Sequence, residues 1–271
     1  MQFIKNIVII SLLELQRTFS TPRGLAVVVA FLLVWALILR YLVMGAANWL
    51  ANGEEGRLVG SFFNSRLIDS LLGWQVAEFS VFWVVGLYLF PLLCLILAAD
   101  QTASDRTRGT LRLLSLHTTR SSLFFGRFSG ALIVQALLLS IVTAATCILA
   151  VHRNQQLLIP ALDTAAMVFV NLLLLIAAYT AAMAVISLFA RSARQATTWA
   201  TILWIALTVS LSWLSHRYPE TTNLRWLVPG AHISSLLHHN SWQALQLAIV
   251  PGVQATVLLL LGWFIINRRD L

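Results

Sequence analysis

The 271-residue chain is 59% apolar and only 10% charged, against about 25% charged for an average soluble domain. That composition excludes a solvated globule, a disordered chain and a collagen-like repeat. The formal charge of +8 does not point to nucleic acid, because the charges fall in gaps between long apolar runs and build no basic face on a soluble fold.

At the N-terminus, Ile4, Val8, Leu12, Leu15 and Phe19 share one helical stripe, with Lys5, Asn6, Gln16 and Arg17 away from it. This pattern predicts an amphipathic helix in the inner headgroup region, ending where the chain turns at Thr21-Pro22. A cleavable signal is not expected, since Glu14 and Arg17 break the early apolar stretch and no small-residue cleavage site follows. A bilayer core of about 30 Å takes roughly 20 apolar residues as a helix. Six stretches meet or approach that length: 24–45, 77–99, 130–151, 166–189, 197–214 and 247–266. Arg40 can snorkel from the end of the first, and Pro91 and Pro251 are expected to kink the second and sixth. Cys94 and Cys147 lie inside apolar runs and read as small core residues, with no disulfide framework.

Six spans put both termini on one side. That side receives twelve basic residues, including Lys5, Arg17, Arg23, Arg127, Arg268 and Arg269, against four acids; the other receives six of each sign. The positive-inside rule therefore places both termini in the cytoplasm. The inner connection spans 100–129, and the longest outer segments are about 46–75 and 215–246. With no repeat, low-complexity linker or soluble domain, residues 1–271 read as a single membrane domain.

The connection from Asp100 carries the most information. Ser104 or Asp105 can cap a short helix in which Leu113 and Leu114 stand beside Thr110 and His117. A helix that short needs something to pack on. In order, the connection holds Asp105-Arg106, Gly109-Thr110-Leu111, Leu113-Leu114, Thr119-Arg120 and Gly126-Arg127. This succession resembles the cytoplasmic loop of type-2 ABC-exporter permeases, with arginine in place of the usual lysine at 127 and His117 where proline is common. The tail Asn267-Arg268-Arg269-Asp270-Leu271 also resembles the ending of many members. The nearest flavour is that of permeases tied to copper-enzyme maturation and gliding motility.

The resemblance implies an all-α membrane fold: an interfacial N-terminal helix, six spans, a coupling helix and a short outer helical hairpin over 226–246. It implies that spans one, two and five lie nearest a permease–permease interface, and that export is the direction. Asp105, Arg106, Arg108, Gly109, Thr110, Leu111, Arg112, Leu113, Leu114 and Arg120 are the expected ATPase-coupling residues. Trp83, Phe90, Asn171 and Trp204 are the candidates for lining or gating the pathway. Within the outer segment, Asn240 and Gln243 form a capping-box-like start for a second short helix, and Trp226 and Trp242 suit the headgroup belt. His232, His238 and His239 read as surface histidines, because no acidic or cysteine partner stands at metal-ligand spacing.

No phosphate-binding loop G-x-x-x-x-G-K-[ST] occurs; the only lysine is Lys5, and no glycine precedes it. An ion-driven carrier would place ionisable groups deep in its spans, whereas Glu78, Asp100 and Asp163 sit near span ends. At depth the main polar groups are Gln135, Asn171 and Tyr179. The expected role is a permease subunit, itself without cofactor or catalytic residues. ATP and Mg would be held by two copies of a separate ATPase subunit, and a second or related permease would complete the bundle in a bacterial inner membrane. A membrane scaffold or sensor signalling through an ATPase is the alternative reading. An intramembrane enzyme is disfavoured, because no span suggests a Ser-His pair or an H-E-x-x-H ligand set.

Overall fold

The computed structural model describes residues 2–45, 47, 73–99, 101–102, 118–237, 239 and 242–268. These residues form an all-helical bundle. Helix α1 (Gln2–Ser20) ends at Thr21, whose hydroxyl caps α2 (Pro22–Leu37) by accepting from Gly24 N at 3.1 Å. Pro22 occupies the first turn of α2, where its missing N–H costs nothing. A π-helical turn (Ile38–Val43) completes the first span and carries the exposed Arg40. Then follow α3 (Ala77–Leu97), α4 (Arg120–Arg153), α5 (Leu158–Phe189) and α6 (Ala193–Arg217). A 3-10 stretch (Pro219–Leu227) and the one-turn α7 (Ile233–Leu236) lead to α8 (Ala244–Arg268). Six helical segments are long and apolar enough to cross a membrane.

Several ends differ from expectation, each for a local reason. Helix α4 starts ten residues before the predicted span, so 120–129 is helix and not part of a loop. Thr119 caps it, Oγ1 accepting from Ser122 N at 3.2 Å. Helix α5 also begins early, leaving only Asn154 and a 3-10 turn (Gln155–Leu157) as the link; Asn154 Oδ1 accepts from Gln156 N at 3.0 Å. At α6, Ser192 Oγ accepts from Gln195 N at 3.2 Å while Gln195 Oε1 accepts from Arg191 N at 2.8 Å, a reciprocal cap that extends the predicted span. Pro91 and Pro251 lie inside continuous helices.

Helix α5 is the central post, touching α3, α4, α6 and α8. Its small residues Ala178, Ala181 and Ala184 pack with Ala255 of α8 and with Phe124 and Phe128 of α4. Close approach through small side chains is how membrane helices gain van der Waals contact where lipid supplies no hydrophobic drive. An aromatic cluster ties α2 to α3: Trp35 stacks on Phe90 at 5.1 Å and tilts against Phe82 at 5.4 Å between centroids. Deeper polar groups pair across helices, with Thr180 Oγ1 donating to Gln135 Oε1 at 2.6 Å. The start of α3 is clamped to the end of α4 by Arg153, which donates to Glu78 Oε1 at 2.5 Å and Oε2 at 3.0 Å. Glu78 is buried, so this bidentate fork is what makes its charge tolerable.

Removing one partner of such a pair strands a buried carboxylate. Arg153→Gln is expected to lower unfolding stability in detergent by about 3 kcal/mol, with Glu78→Gln in the same chain restoring most of the loss. Thermal or denaturant unfolding of the two variants checks this.

Candidate functional site

Helix α1 and the end of α8 share one face. Near it, Ser121 Oγ donates to Asn267 Oδ1 at 3.2 Å and Ser11 Oγ donates to Gly126 O at 3.2 Å, so the end of α8 and helix α1 both meet the start of α4. On the opposite face, the chain between α6 and α8 turns back into the bundle. Gln254, which meets this segment, lies ten residues, or about 15 Å of helix, inside the first residue of α8.

Irregular backbone at that depth is tolerated only where protein satisfies its polar groups. Four helices do so here. Trp83 Nε1 of α3 donates to Leu236 O at 3.2 Å. Tyr179 Oη of α5 and Trp204 Nε1 of α6 both donate to Pro229 O, at 3.0 and 3.2 Å. Gln254 Nε2 of α8 donates to Trp226 O and, at 3.3 Å, to Val228 O. The turn itself depends on Gly230, whose φ of +91° is costly for any other residue. A Cβ at this position would collide with Tyr179 Oη. The segment is therefore a plug, pinned by one donor from each of four spans.

His232 sits inside the plug, 1% exposed, its ring stacked on Trp226 at 6.5 Å and 11° between planes. This corrects the expectation of a surface histidine: the turn after Gly230 carries the ring inward. Neither ring nitrogen has a hydrogen-bond partner among the described residues, and burial pushes the imidazole down to about 4. His239 is half-buried, Nδ1 within 2.9 Å of Ser235 O, while His238 lies outside the described residues. Among the described residues no three His, Cys, Asp or Glu side chains gather to hold a metal ion. The second arm of the expected hairpin is the beginning of α8 and not a separate short helix; Asn240 lies outside the described residues. Trp226 and Trp242 are both exposed, and Trp242 Nε1 donates to Asp163 Oδ1 at 3.1 Å.

On the face of the termini, the start of α4 is held from two sides. Gly126 and Gly130, a small-xxx-small pair, let α1 approach so closely that a Cβ would stand 2.7 Å from Ile10 Cβ or from Glu14 Cβ. Across that contact Arg127 pairs with Glu14, and Ser11 Oγ lies 2.8 Å from Ser129 Oγ. From the other side, Trp263 Nε1 of α8 donates to Ser121 Oγ at 3.1 Å, and Phe124 packs where Gly262 leaves room. Helix α1 thus buries Ile10 and Ser11 on α4. The apolar stripe through Ile4, Val8, Leu12 and Phe19 stays exposed, as an interfacial helix requires.

Of the ten expected coupling residues, Arg120 is the first residue of α4. Asp105, Arg106, Arg108, Gly109, Thr110, Leu111, Arg112, Leu113 and Leu114 lie outside the described residues. The four pathway candidates separate. Trp83 and Trp204 meet at the plug. Phe90 is 3% exposed against Trp35, and Asn171 is 1% exposed, donating to Met167 O of its own helix at 2.8 Å. Trp204 alone among them is not fully buried. Pinning residues that the sequence left unassigned are Gly230 and Gln254; a Pro-Gly turn flanked by aromatics was their only trace.

Two outcomes follow from the plug. Gly230→Ala is expected to lower stability by about 2 kcal/mol or more and to speed hydrogen exchange across 226–237; adding Tyr179→Phe relieves the collision but not the strained φ, so recovery is partial. For His232, the folded imidazole binds a proton less readily than the free side chain at about 6.5. The unfolded chain therefore takes up more protons between pH 6.5 and 4, and stability falls across that window as pH drops. A His232→Gln variant should flatten that part of a melting-temperature profile.

Residues 8–270 match the family described as ABC-2 family transporter protein. No match to a curated protein was found. The match covers nearly the whole chain and agrees with six apolar helices and the order of motifs from Asp105 to Arg127. The chain belongs to the ABC-2 transporter family, as a multi-pass membrane component of an ABC transporter.

Proposed function

We propose that the chain is an export permease in which the plug closes the outer end of the pathway and residues 105–120 receive the stroke of an ATPase. Two permease chains pair, and each engages one copy of a separately encoded ATPase that holds ATP and Mg. Both termini face the cytoplasm of a bacterial inner membrane. Leu111, Leu113 and Leu114 fill an apolar groove on the ATPase, and Arg106, Arg108, Arg112 and Arg120 set orientation and partner choice.

The observation that carries this reading is the double hold on the start of α4. Whatever moves residues 103–119 acts directly on Arg120, and α4 is continuous from there to Arg153 at the far side of the bundle. Packed helices transmit such a displacement as rigid bodies. At the far end, Arg153 is fixed to α3, which donates to the plug through Trp83. A continuous physical chain therefore joins the cytoplasmic elbow to the outer closure.

The pairing surface is proposed on α6. Ala196 and Ala200 are its only buried residues, and it is the least apolar of the six spans. Thr197, Thr201 and Thr208 donate their hydroxyls to their own helix, at 3.0, 2.9 and 2.8 Å. A second chain or an aqueous path suits such a face better than lipid does.

The test is co-purification of the tagged chain with a Walker-motif protein in equal amounts. Arg112→Glu with Leu113→Asp is expected to release the ATPase while leaving the melting temperature of the spans unchanged. Retention of the partner and of stimulated ATP hydrolysis in that double variant would overturn the assignment. Uptake into inside-out vesicles checks the direction: export predicts ATP-dependent accumulation within them.

A further inference from the structure

The plug is anchored through the carbonyls of Trp226, Val228, Pro229 and Leu236, yet it also carries inward a side chain that anchors nothing. His232 is almost fully buried, and neither ring nitrogen has a hydrogen-bond partner. A neutral imidazole holds one N–H donor and one acceptor, and burying both bare is costly. An apolar side chain would fill the same place without stranding polar atoms. The cover over the ring is Trp226, itself exposed, whose indole lies parallel to the imidazole.

The surroundings leave the ring's protonation to burial. Helix α7 has no acidic or basic residue, and α8 has none before Arg268; it meets the plug through Gln254. Trp83 of α3 and Trp204 of α6 do not titrate, and Tyr179 of α5 donates its hydroxyl to Pro229 O. Farther out, Glu78 of α3 is held by Arg153 of α4, and Asp163 of α5 accepts from Trp242. His216 and Arg217 at the end of α6 are exposed, as is Glu220, and His239 is half-buried beside Ser235 O. The side chains of Arg225 and His238 lie outside the described residues. Desolvation is the cause that pushes the imidazole down to about 4. Stacking does not offset it, because the 6.5 Å between ring centroids exceeds the roughly 6 Å over which an indole face attracts a cation.

We propose that His232 is a proton latch: the closed plug admits only the neutral ring, so acid in the aqueous phase that the plug meets shifts the plug open. The inference rests on reading the plug as the closure of the pathway. When the plug swings out, the ring meets water and regains the affinity of a free imidazole, near about 6.5. A proton from water then binds the nitrogen that carries the lone pair, and the imidazolium has to shed it before the ring can return. Below about pH 6.5 the open form therefore holds a proton that the closed form lacks, and above it neither does. Each pH unit lost in that window multiplies the open-to-closed ratio by about ten, until the closed ring is protonated as well, near pH 4. Closure is tight at neutral pH and loosens in acid.

The amides of Ala231, Ile233, Leu236 and Leu237 are bonded within the plug, to the carbonyls of Val228, Gly230, His232 and Ile233, and report its opening. Hydrogen exchange of the full chain in detergent micelles is measured at pH 7.5 and 5.5, with the intrinsic exchange rate at each pH divided out. The opening constant of these amides is expected to be about tenfold larger at pH 5.5, while that of 138–142 in α4 stays constant. His232→Gln and His232→Phe should each reduce the step to about twofold or less, and the phenylalanine variant carries the test where glutamine does not fold. His239→Gln should keep the step. Gln254→Leu, which deletes an anchor, should raise opening at both pH values and keep their ratio, whereas Trp226→Ala, which uncovers the ring, should shrink it. A pH-independent opening constant, a full step in both His232 variants, loss of the step in His239→Gln, or an equal rise in α4 would each overturn the latch. The measurement contains neither ATPase nor cargo, so loss of the step refutes the latch alone, and transport with the plug shut refutes the closure alone.

Discussion

A bilayer offers no water to a free carbonyl, and that constraint shapes the far end of this molecule. Between the 3-10 stretch and α7 the chain leaves the helical ladder inside the bundle, and side-chain donors add to the few backbone hydrogen bonds that remain there. Trp83, Tyr179, Trp204 and Gln254 provide them from four separate spans. Pro229 explains part of the demand. Lacking an N–H it cannot continue a ladder, and its carbonyl collects two side-chain donors. The positive φ of Gly230 brings that carbonyl within reach of Tyr179. Because the pins come from different helices, relative movement of those helices has to break or exchange some of them. A closure built in this way can open through helix displacement without unfolding.

The near end answers a different problem. Residues 103–117 follow the second span, and in the proposed mechanism they act on α4. A helix end free in the headgroup region would tilt or fray. Gly126 and Gly130 remove the side chains that would keep α1 away, Glu14 neutralises Arg127, and α8 closes the other side through Trp263 and Gly262. The buried ion pair is weak evidence for stability in itself, since desolvation offsets much of the attraction. Its worth lies in fixing the register of α1 on α4.

Much of this was legible from residue order. Six apolar runs of bilayer length gave the spans, and Thr21-Pro22 gave the break before the first. What escaped was the extent of α4 and α5, because Arg120, Arg127 and Asn154 look like loop residues until their partners are known. Glu14 read as an interruption of an apolar stretch, yet it is one half of the clasp. His232 read as a surface histidine because no acidic or cysteine partner stands at metal-ligand spacing; the turn at Gly230 decides otherwise, and a turn's direction is not written in composition. Trp83 and Trp204 were singled out as aromatic groups on spans that the resemblance puts near the permease interface. Their indole N–H groups, and not their rings alone, place them at the plug. The coupling motif from Asp105 to Leu114 rests on sequence order and family membership.

The most direct test of the account follows the plug during turnover. With Cys94 and Cys147 replaced by alanine, a spin label at Leu227, an exposed plug residue, reports the distance between the two plugs of a reconstituted permease–ATPase complex. A second pair of labels, at Leu12 and Arg120, reports the clasp within one chain. Trapping the ATPase in its ATP-bound state should lengthen the first distance and leave the second unchanged. Transport that proceeds with the plug distance fixed, or a clasp that opens while the plugs stay still, would contradict a rigid connection from the inner elbow to the outer closure.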